Sequence, residues 1–387
     1  MVYKLASVNA ISKIAAIVVV IIAVLAGYLI GNIAPISIYQ SITMGSTLTY
    51  TNVATYVQTT QMITVFQTVT QMAMPITQTL TSIVTNVVTY TQQIRISTTV
   101  TQEVTHTVKE APQIVLKLPS DNPWPMAMVD LNGDGSPDSV IAVNPWNIKS
   151  FNGSQMLIFD LGKRELRAVY KISNVDPATW TNGYPEIYAG RKPWDTTYVN
   201  GFGVQFPMKV SKLTPFLVSF YICILNLDRN MNFDIAADAW IVREEIMRNP
   251  GTPPAQGDLE IMVWLFNQNL NPAGEKIGEE VIPIILNGSI VQASFEVWRM
   301  DSVTWGGWQY IAFKPKGWSL TCGSVAYDPT IFVRTAAKYA TFDISNHYLL
   351  DWEIGTEWGT YSSKGSAEFE WILRDFSLIP GAGIGVS

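Results

Sequence analysis

The sequence predicts an all-β protein, a sandwich or barrel, over residues 112–387 of a 387-residue chain. Three observations carry this reading. Short runs of alternating apolar and polar residues recur through the segment, among them SVIAVNP, SQMLIFDL, FLVSFYICIL, DLEIMVWLF, VIPIILNG, ASFEVWRM, WQYIAFKP and AEFEWILRDFSLI. Turn signals such as NG, PG and PKG separate the runs. No helical stripe of comparable strength interrupts them, apart from a short candidate at PTIFVRTAAKYA. Alternation at period 2 marks half-buried strands, and many short strands between turns close into a sandwich or barrel.

Two segments precede this region. Residues 1–35 read as a transmembrane anchor, because Ile14 to Ala34 (IAAIVVVIIAVLAGYLIGNIA) is apolar throughout and long enough to span a bilayer. Lys4 and Lys13 lie on its N-terminal side. That end is therefore expected to stay in the cytoplasm, leaving the bulk of the chain extracellular and anchored to the cell membrane. A cleaved signal with secretion is the alternative. Residues 36–111 read as a Thr/Val/Gln-rich stalk almost free of charge. From Met62 to Ile94 apolar residues recur at alternating spacings of four and three, the seam of a left-handed coiled coil. The stalk would then join copies of the chain into a homo-oligomer. Thr is a poor helix former and Pro75 interrupts the seam, so a disordered, O-glycosylated or β-structured stalk stays open.

A net charge of −6, a pI near 5.1 and the lack of any Lys/Arg cluster exclude nucleic acid as the expected partner. Charged residues are only 14% of the chain, beside 13 Trp and 16 Tyr. This suits an extracellular carbohydrate binder and a large β core equally well. Cys223 and Cys322 are the two cysteines, no CxxC or HExxH occurs, and His106 and His347 are far apart, so no zinc site is expected. In an exported protein Cys223 and Cys322 can form a disulfide; otherwise they are two separate buried thiols.

Chemistry enters with EIMVWL, which opens on Glu260. Side chains alternate along a strand, so Glu260, Met262 and Trp264 share one face while Ile261, Val263 and Leu265 share the other. The aliphatic face belongs in a core. An unpaired charge is costly to bury, so the face with the carboxylate lines a cleft. A second carboxylate, Glu357 in GTEWG, also stands beside a Trp in a Gly-flanked stretch. Either residue alone reads more readily as a surface acid than as a catalyst. As a pair they supply what hydrolysis of a glycosidic bond requires. Elsewhere, DLNGDGSPD sets Asp130, Asn132, Asp134 and Asp138 at positions 1, 3, 5 and 9 of an EF-hand-like loop, with Gly135 at position 6. Ile141 stands where the loop's Glu belongs, so a structural calcium site competes with a plain Asp/Gly turn. No cofactor is expected for catalysis.

DLEIMVWLFNQNLNPAGEKI and WEIGTEWG resemble the two signature strands of glycoside hydrolase family 12, small endo-β-1,4-glucanases and xyloglucanases. Further blocks follow in family order, among them NPWNIKSFNGSQMLIFD, YPEIYAGRKPW, NFDIAADAWIVRE and WGGWQYIAF. The resemblance implies a concanavalin-like β-jelly-roll sandwich with a substrate groove. It implies retaining, endo-acting hydrolysis of a β-glucan polysaccharide (a cellulase), with xyloglucanase or mixed-linkage β-glucanase as alternatives. Glu260 matches the nucleophile and Glu357 the acid/base, which sets their carboxyls about 5–5.5 Å apart. The charge of Glu260 is then expected to keep Glu357 protonated. Asp238, in AADAW, matches an acid that orients the nucleophile by a hydrogen bond. Asn144 and Trp146 match a glycone subsite, and Tyr188 and Trp194 resemble a loop flanking it. By strand alternation Met262 and Trp264 line the same groove; the other tryptophans are expected in the core. Trp358 follows the acid/base Glu357 where Phe is commoner. The first 110 residues have no counterpart in that family, and AISKIAAIVVVIIAVLAG resembles the pilin-type leaders of archaeal secreted sugar-binding proteins. The rival class is a non-catalytic cell-surface lectin on the same jelly roll, which has no need of both glutamates.

Overall fold

The structure, a computed structural model, describes residues 112–384 apart from residue 200. The expected anchor (1–35) and the stalk with its Met62–Ile94 seam (36–111) lie outside the described residues. Among the described residues no helix is long and apolar enough to cross a membrane.

In chain order the strands longer than two residues are β1 Gln113–Leu118, β2 Met126–Val129, β3 Ser139–Ala142, β4 Ser150–Asp160, β5 Glu165–Asp176 and β6 Glu186–Gly190. There follow β7 Phe216–Leu227, β8 Asn232–Val242, β9 Leu259–Gln268, β10 Glu275–Leu286 and β11 Ser289–Met300. The last are β12 Gln309–Pro315, β13 Cys322–Tyr327, β14 Asp351–Gly355 and β15 Ala367–Pro380. One layer runs β2-β3-β6-β14-β8-β9-β12-β11-β10. The other runs β1-β4-β5-β15-β7-β13. All these pairings are antiparallel except β9 with β12. The layers join where Ile285 of β10 pairs with Ala326 of β13, which gives the nearly closed, jelly-roll-like sheet that the alternating runs foretell.

Alternation fixes which side chains fill the sandwich. Phe233, Ile235, Ala237, Ala239 and Ile241 of β8 enter the main core, as do Ile261, Val263 and Leu265 of β9. Their neighbours in sequence point to the opposite face, where the carboxylates are. The β10–β11 hairpin turns at Asn287 (φ 49°) and Gly288 (φ 81°), the left-handed pair that a two-residue hairpin loop demands. One helix, α1 Pro329–Tyr339, falls where the short helical pattern places it. Asp328 caps it by accepting from Thr330 N–H, Pro329 stands in its first turn, and Phe332, Val333 and Ala336 bury its apolar side in the core. Cys223 and Cys322 face each other across β7 and β13 and are joined by a disulfide.

Candidate active site

The site lies on the face of the first layer that points away from the main core. Strand register sets its carboxylates side by side. Asp238 of β8 is opposite Met262 of β9 on one flank and Glu353 of β14 on the other, and Trp240 is opposite Glu260. Residues facing each other across a ladder share a face, so Asp234, Asp238, Glu260 and Glu353 all emerge on this side.

Two cavities, of about 550 and 890 Å³, both have Glu260, Glu357, Trp146 and Trp305 in their walls. They therefore form one groove that runs through the pair of glutamates. One arm carries Asn144, Tyr188, Trp194, Trp124 and Lys192; the other carries Trp180, Asn269 and Asn271. Glu260 is partly buried, and its Oε2 accepts a 2.6 Å hydrogen bond from Trp308 Nε1. Glu357 follows β14. Its peptide is clamped by Asp234, whose Oδ1 accepts from Glu357 N–H at 2.8 Å and whose own N–H donates to Glu357 O at 2.9 Å.

Met262 lies in the groove wall and receives a 3.2 Å contact on its sulfur from the Tyr310 hydroxyl. Trp146 lies against Trp305, with ring centroids 6.5 Å apart. Tyr188 donates its hydroxyl to Asp195 at 3.0 Å, and Trp194, at the rim, meets Trp240 edge-on. Asn144 has a left-handed backbone (φ 43°), and its Nδ2 donates to Glu186 Oε1 at 2.9 Å, which leaves its Oδ1 as the free acceptor.

Two expectations need correction. Trp264 shares the face of Glu260 but does not line the groove. It is 1% exposed, inside a buried cluster with Met262, Leu270 and Tyr310. Asp238 does line the groove, yet forms no hydrogen bond with Glu260. Register places it opposite Met262, one diagonal step away, and Trp308 supplies the donor to Glu260 instead. The Asp130–Asp138 turn closes on itself. Asp130 accepts from the amides of Gly133 and Gly135, Asp138 accepts from those of Leu131 and Asn132, and the Asn132 amide donates to both Asp134 and Asp138. No group of three or more His, Cys, Asp or Glu among the described residues is gathered to hold a metal ion.

Sequence reasoning missed several residues. Trp124, Trp180 and Trp305 belong to the groove and not to the core, and Trp308 is buried but turns one edge to the groove. Asp234 was findable, since it stands four residues before Asp238 and period 2 puts both on one face. Lys192 was hidden in GRKPW, which reads as a surface loop. In the fold its Nζ is 2.7 Å from Glu186 Oε2 and 2.7 Å from Glu353 Oε2, and all three side chains are buried.

Burial pushes the Glu260 carboxyl up to about 8. Glu357 and Glu353 add to the push, and the Trp308 hydrogen bond opposes it. Burial likewise raises Glu357 to about 7. Both side chains remain open to the groove, so water moderates these shifts while their direction stands. The sequence expects the raised value on Glu357 alone; the structure raises both, because both sit in the same apolar wall. Two interacting carboxyls titrate as a pair, so both shifts belong to the pair; burial raises Glu260 the further of the two, and the Trp308 hydrogen bond works against that by favouring its charged form. Asp234, Asp238, Glu186 and Asp351 are also pushed up, in each case by burial first.

These shifts fix the sign of a stability prediction. A carboxyl whose folded pKa exceeds its unfolded value holds a proton in the folded state that the unfolded chain releases. Its stabilising contribution is complete below the unfolded value of 4.5 and is lost as pH rises through about 7 and 8. The protein is therefore expected to melt higher at pH 5 than at pH 8, by an amount worth about 2–4 kcal/mol after allowance for solvent. Calorimetry across that range is the check, and a melting temperature that rises towards pH 8 would contradict it.

A model of glycosyl hydrolase family 12 matches residues 137–378, more than half of the chain. No curated protein sequence matches it. Among solved structures, the chain is similar to a family 12 xyloglucanase from Bacillus licheniformis, in complex with ligand. The identity is 20% and the TM-score 0.51, covering 70% of this chain and 100% of that one. It is also similar to the endoglucanase Cel12A from Rhodothermus marinus, at 20% identity and TM-score 0.49 over 69% of this chain and 98% of that one. At 20% identity the likeness to the xyloglucanase speaks to the fold alone.

Proposed function

The chain belongs to glycosyl hydrolase family 12, and from that premise we propose that it is a retaining endo-β-1,4-glucanase acting through a glycosyl-enzyme intermediate. The observation that carries this reading is the groove, which continues past Glu260 and Glu357 in both directions. A chain of sugars can lie across such a groove with its interior bonds at the carboxyl pair, which is what endo attack requires. Glu260 attacks the anomeric carbon while Glu357 gives its proton to the departing glycosidic oxygen. A water then enters, Glu357 takes a proton from it, and the glycosyl–Glu260 ester is released with its original configuration. Trp308 holds the attacking carboxylate in place through one N–H. Asp234 fixes the backbone that carries the acid. Asp238 stands beside the pair in the groove wall, where burial first and then the neighbouring Glu260 push its own carboxyl up. Apolar sugar faces rest on Trp146 and Trp194, and Asn144 offers an acceptor to a hydroxyl.

The reading includes an extracellular enzyme tethered to the cell membrane by the apolar run Ile14–Ala34, and an oligomeric stalk through the Met62–Ile94 seam. Reducing-sugar release from carboxymethylcellulose, xyloglucan and lichenan tests the activity. Carboxymethylcellulose is expected to lose viscosity early, before much reducing sugar appears. Xyloglucan or lichenan as the better polymer would change the substrate and keep the mechanism. Binding to all three with release from none would replace the enzyme by a lectin.

A further inference from the structure

Outside the residues that the mechanism uses, two large aromatic side chains stand exposed against one another. Trp180 is 56% and Tyr361 57% exposed, with ring centroids 4.6 Å apart and planes inclined by 23°. Two stacked rings left in water forfeit the burial that aromatic residues normally gain, which marks a surface kept for a ligand. Trp180 is also part of the groove arm that reaches Glu260 and Glu357, among the polar side chains of Thr179, Asn269 and Asn271. A flat apolar surface beside hydroxyl and amide groups is the chemistry that receives a pyranose ring, whose faces are C–H and whose rim is O–H.

The stack is held rigidly. The Asn182 side chain donates to Pro177 O and accepts from both the amide and the hydroxyl of Thr360. Thr179 O accepts from the amides of Thr360 and Tyr361, and Trp180 O accepts from Asn232 Nδ2. Gly359 passes so close to the Trp180 carbonyl that any Cβ there would collide with it. The loop before β6 is thus knitted to the segment that begins at Glu357. A preordered platform binds without the entropy cost of assembling it.

Direction follows from connectivity. Tyr361 is four residues beyond Glu357 on one continuous segment. Glu357 protonates the leaving oxygen, so its segment borders the leaving half of the substrate. Asn144, Lys192 and Trp194 belong to the opposite arm. We infer that the Trp180–Tyr361 stack is a binding platform for the leaving-group half of a β-linked glucan chain, extending the groove beyond the bond that is cut. This rests on the glucanase reading above.

The test compares substrates that reach the platform with one that does not, using the full chain. On soluble β-glucan and long cello-oligosaccharides, Trp180→Ala is expected to lower kcat/KM about tenfold, the size of one lost stacking contact. On an aryl β-cellobioside, whose leaving group is a single ring, the same variant should keep its kcat/KM within about twofold. Tyr361→Ala should follow the same pattern more weakly, and Trp180→Phe should recover most of the loss. Equal losses on both substrates, or an unchanged rate on the polymer, would overturn the platform. Calorimetric binding of cellohexaose to a Glu260→Gln background, with and without Trp180→Ala, decides the same point without hydrolysis. A protein that cuts nothing but still loses binding on Trp180→Ala would remove the glucanase reading and keep the platform. Undiminished binding would remove the platform whatever the activity.

Discussion

Replacing Glu260 with Gln is expected to reduce cleavage of every substrate to background, whereas Glu357→Gln should separate substrates by leaving group. The difference follows from where each carboxyl acts. Without Glu260 no glycosyl-enzyme forms, and a better leaving group cannot compensate. Without Glu357 the first step lacks its acid. A sugar alkoxide then leaves poorly, so cellulose hydrolysis should fall by about 10²–10⁴. A nitrophenolate departs unaided, so the first step on an aryl glycoside should survive. The intermediate should then accumulate, because the base that activates water is also gone. Azide needs no deprotonation and should discharge the intermediate as the β-glycosyl azide. Trapping by mass spectrometry and the anomeric configuration of the product read both events. A β-glycosyl azide from the Glu260 variant, in place of the Glu357 variant, would exchange the two roles. Near-normal cellulose cleavage by both variants would move the catalytic pair elsewhere.

The sequence revealed what period 2 can encode. The strands, the core face of β9 and the shared face of Glu260 and Met262 all follow from alternation, and the structure reproduces them. Alternation gives a face but not a depth. Trp264 has the right face, yet the cluster around Leu270 covers it. Nor does alternation give register. Asp238 and Glu260 lie on paired strands, but the ladder sets Asp238 against Met262, so the expected hydrogen bond goes to Trp308 instead. Trp308 precedes β12, and only the parallel pairing of β12 with β9 brings the two strands together. No local pattern announces such a pairing. Trp180 and Tyr361 meet across 181 positions of sequence for the same reason, through the loop before β6 and the segment after β14. Lys192 was illegible for a different reason. A lysine between Arg and Pro reads as solvent-exposed, and only the buried glutamates on either side reveal a structural charge.

Lys192→Met should therefore be the most destabilising single change in the groove wall. Lys192 lies 2.7 Å from both Glu186 and Glu353, with its ammonium over the rings of Tyr184, Tyr188 and Trp194. Burial alone would lower its pKa, but the two carboxylates outweigh burial and keep it charged. Removing one partner of a buried ion pair strands the other, at a cost of about 3–5 kcal/mol. Here two carboxyls are stranded, and Asp238 and Asp351 stand near enough to Glu353 for their carboxyls to be raised by it. Protonation is the remaining way to neutralise the group, so the loss should shrink in acid. Urea unfolding at pH 8 should show the full deficit, and at pH 5 a smaller one. Adding Glu353→Gln to Lys192→Met should recover part of the stability, since it removes a charge that has lost its counter-ion. The variant should also bind the glycone half of the substrate more weakly, because Glu186 fixes the Asn144 amide and Lys192 fixes Glu186. A rise in KM for cello-oligosaccharides larger than the fall in kcat would show that route. Full stability of Lys192→Met at pH 8 would mean that the lysine contributes nothing by its charge.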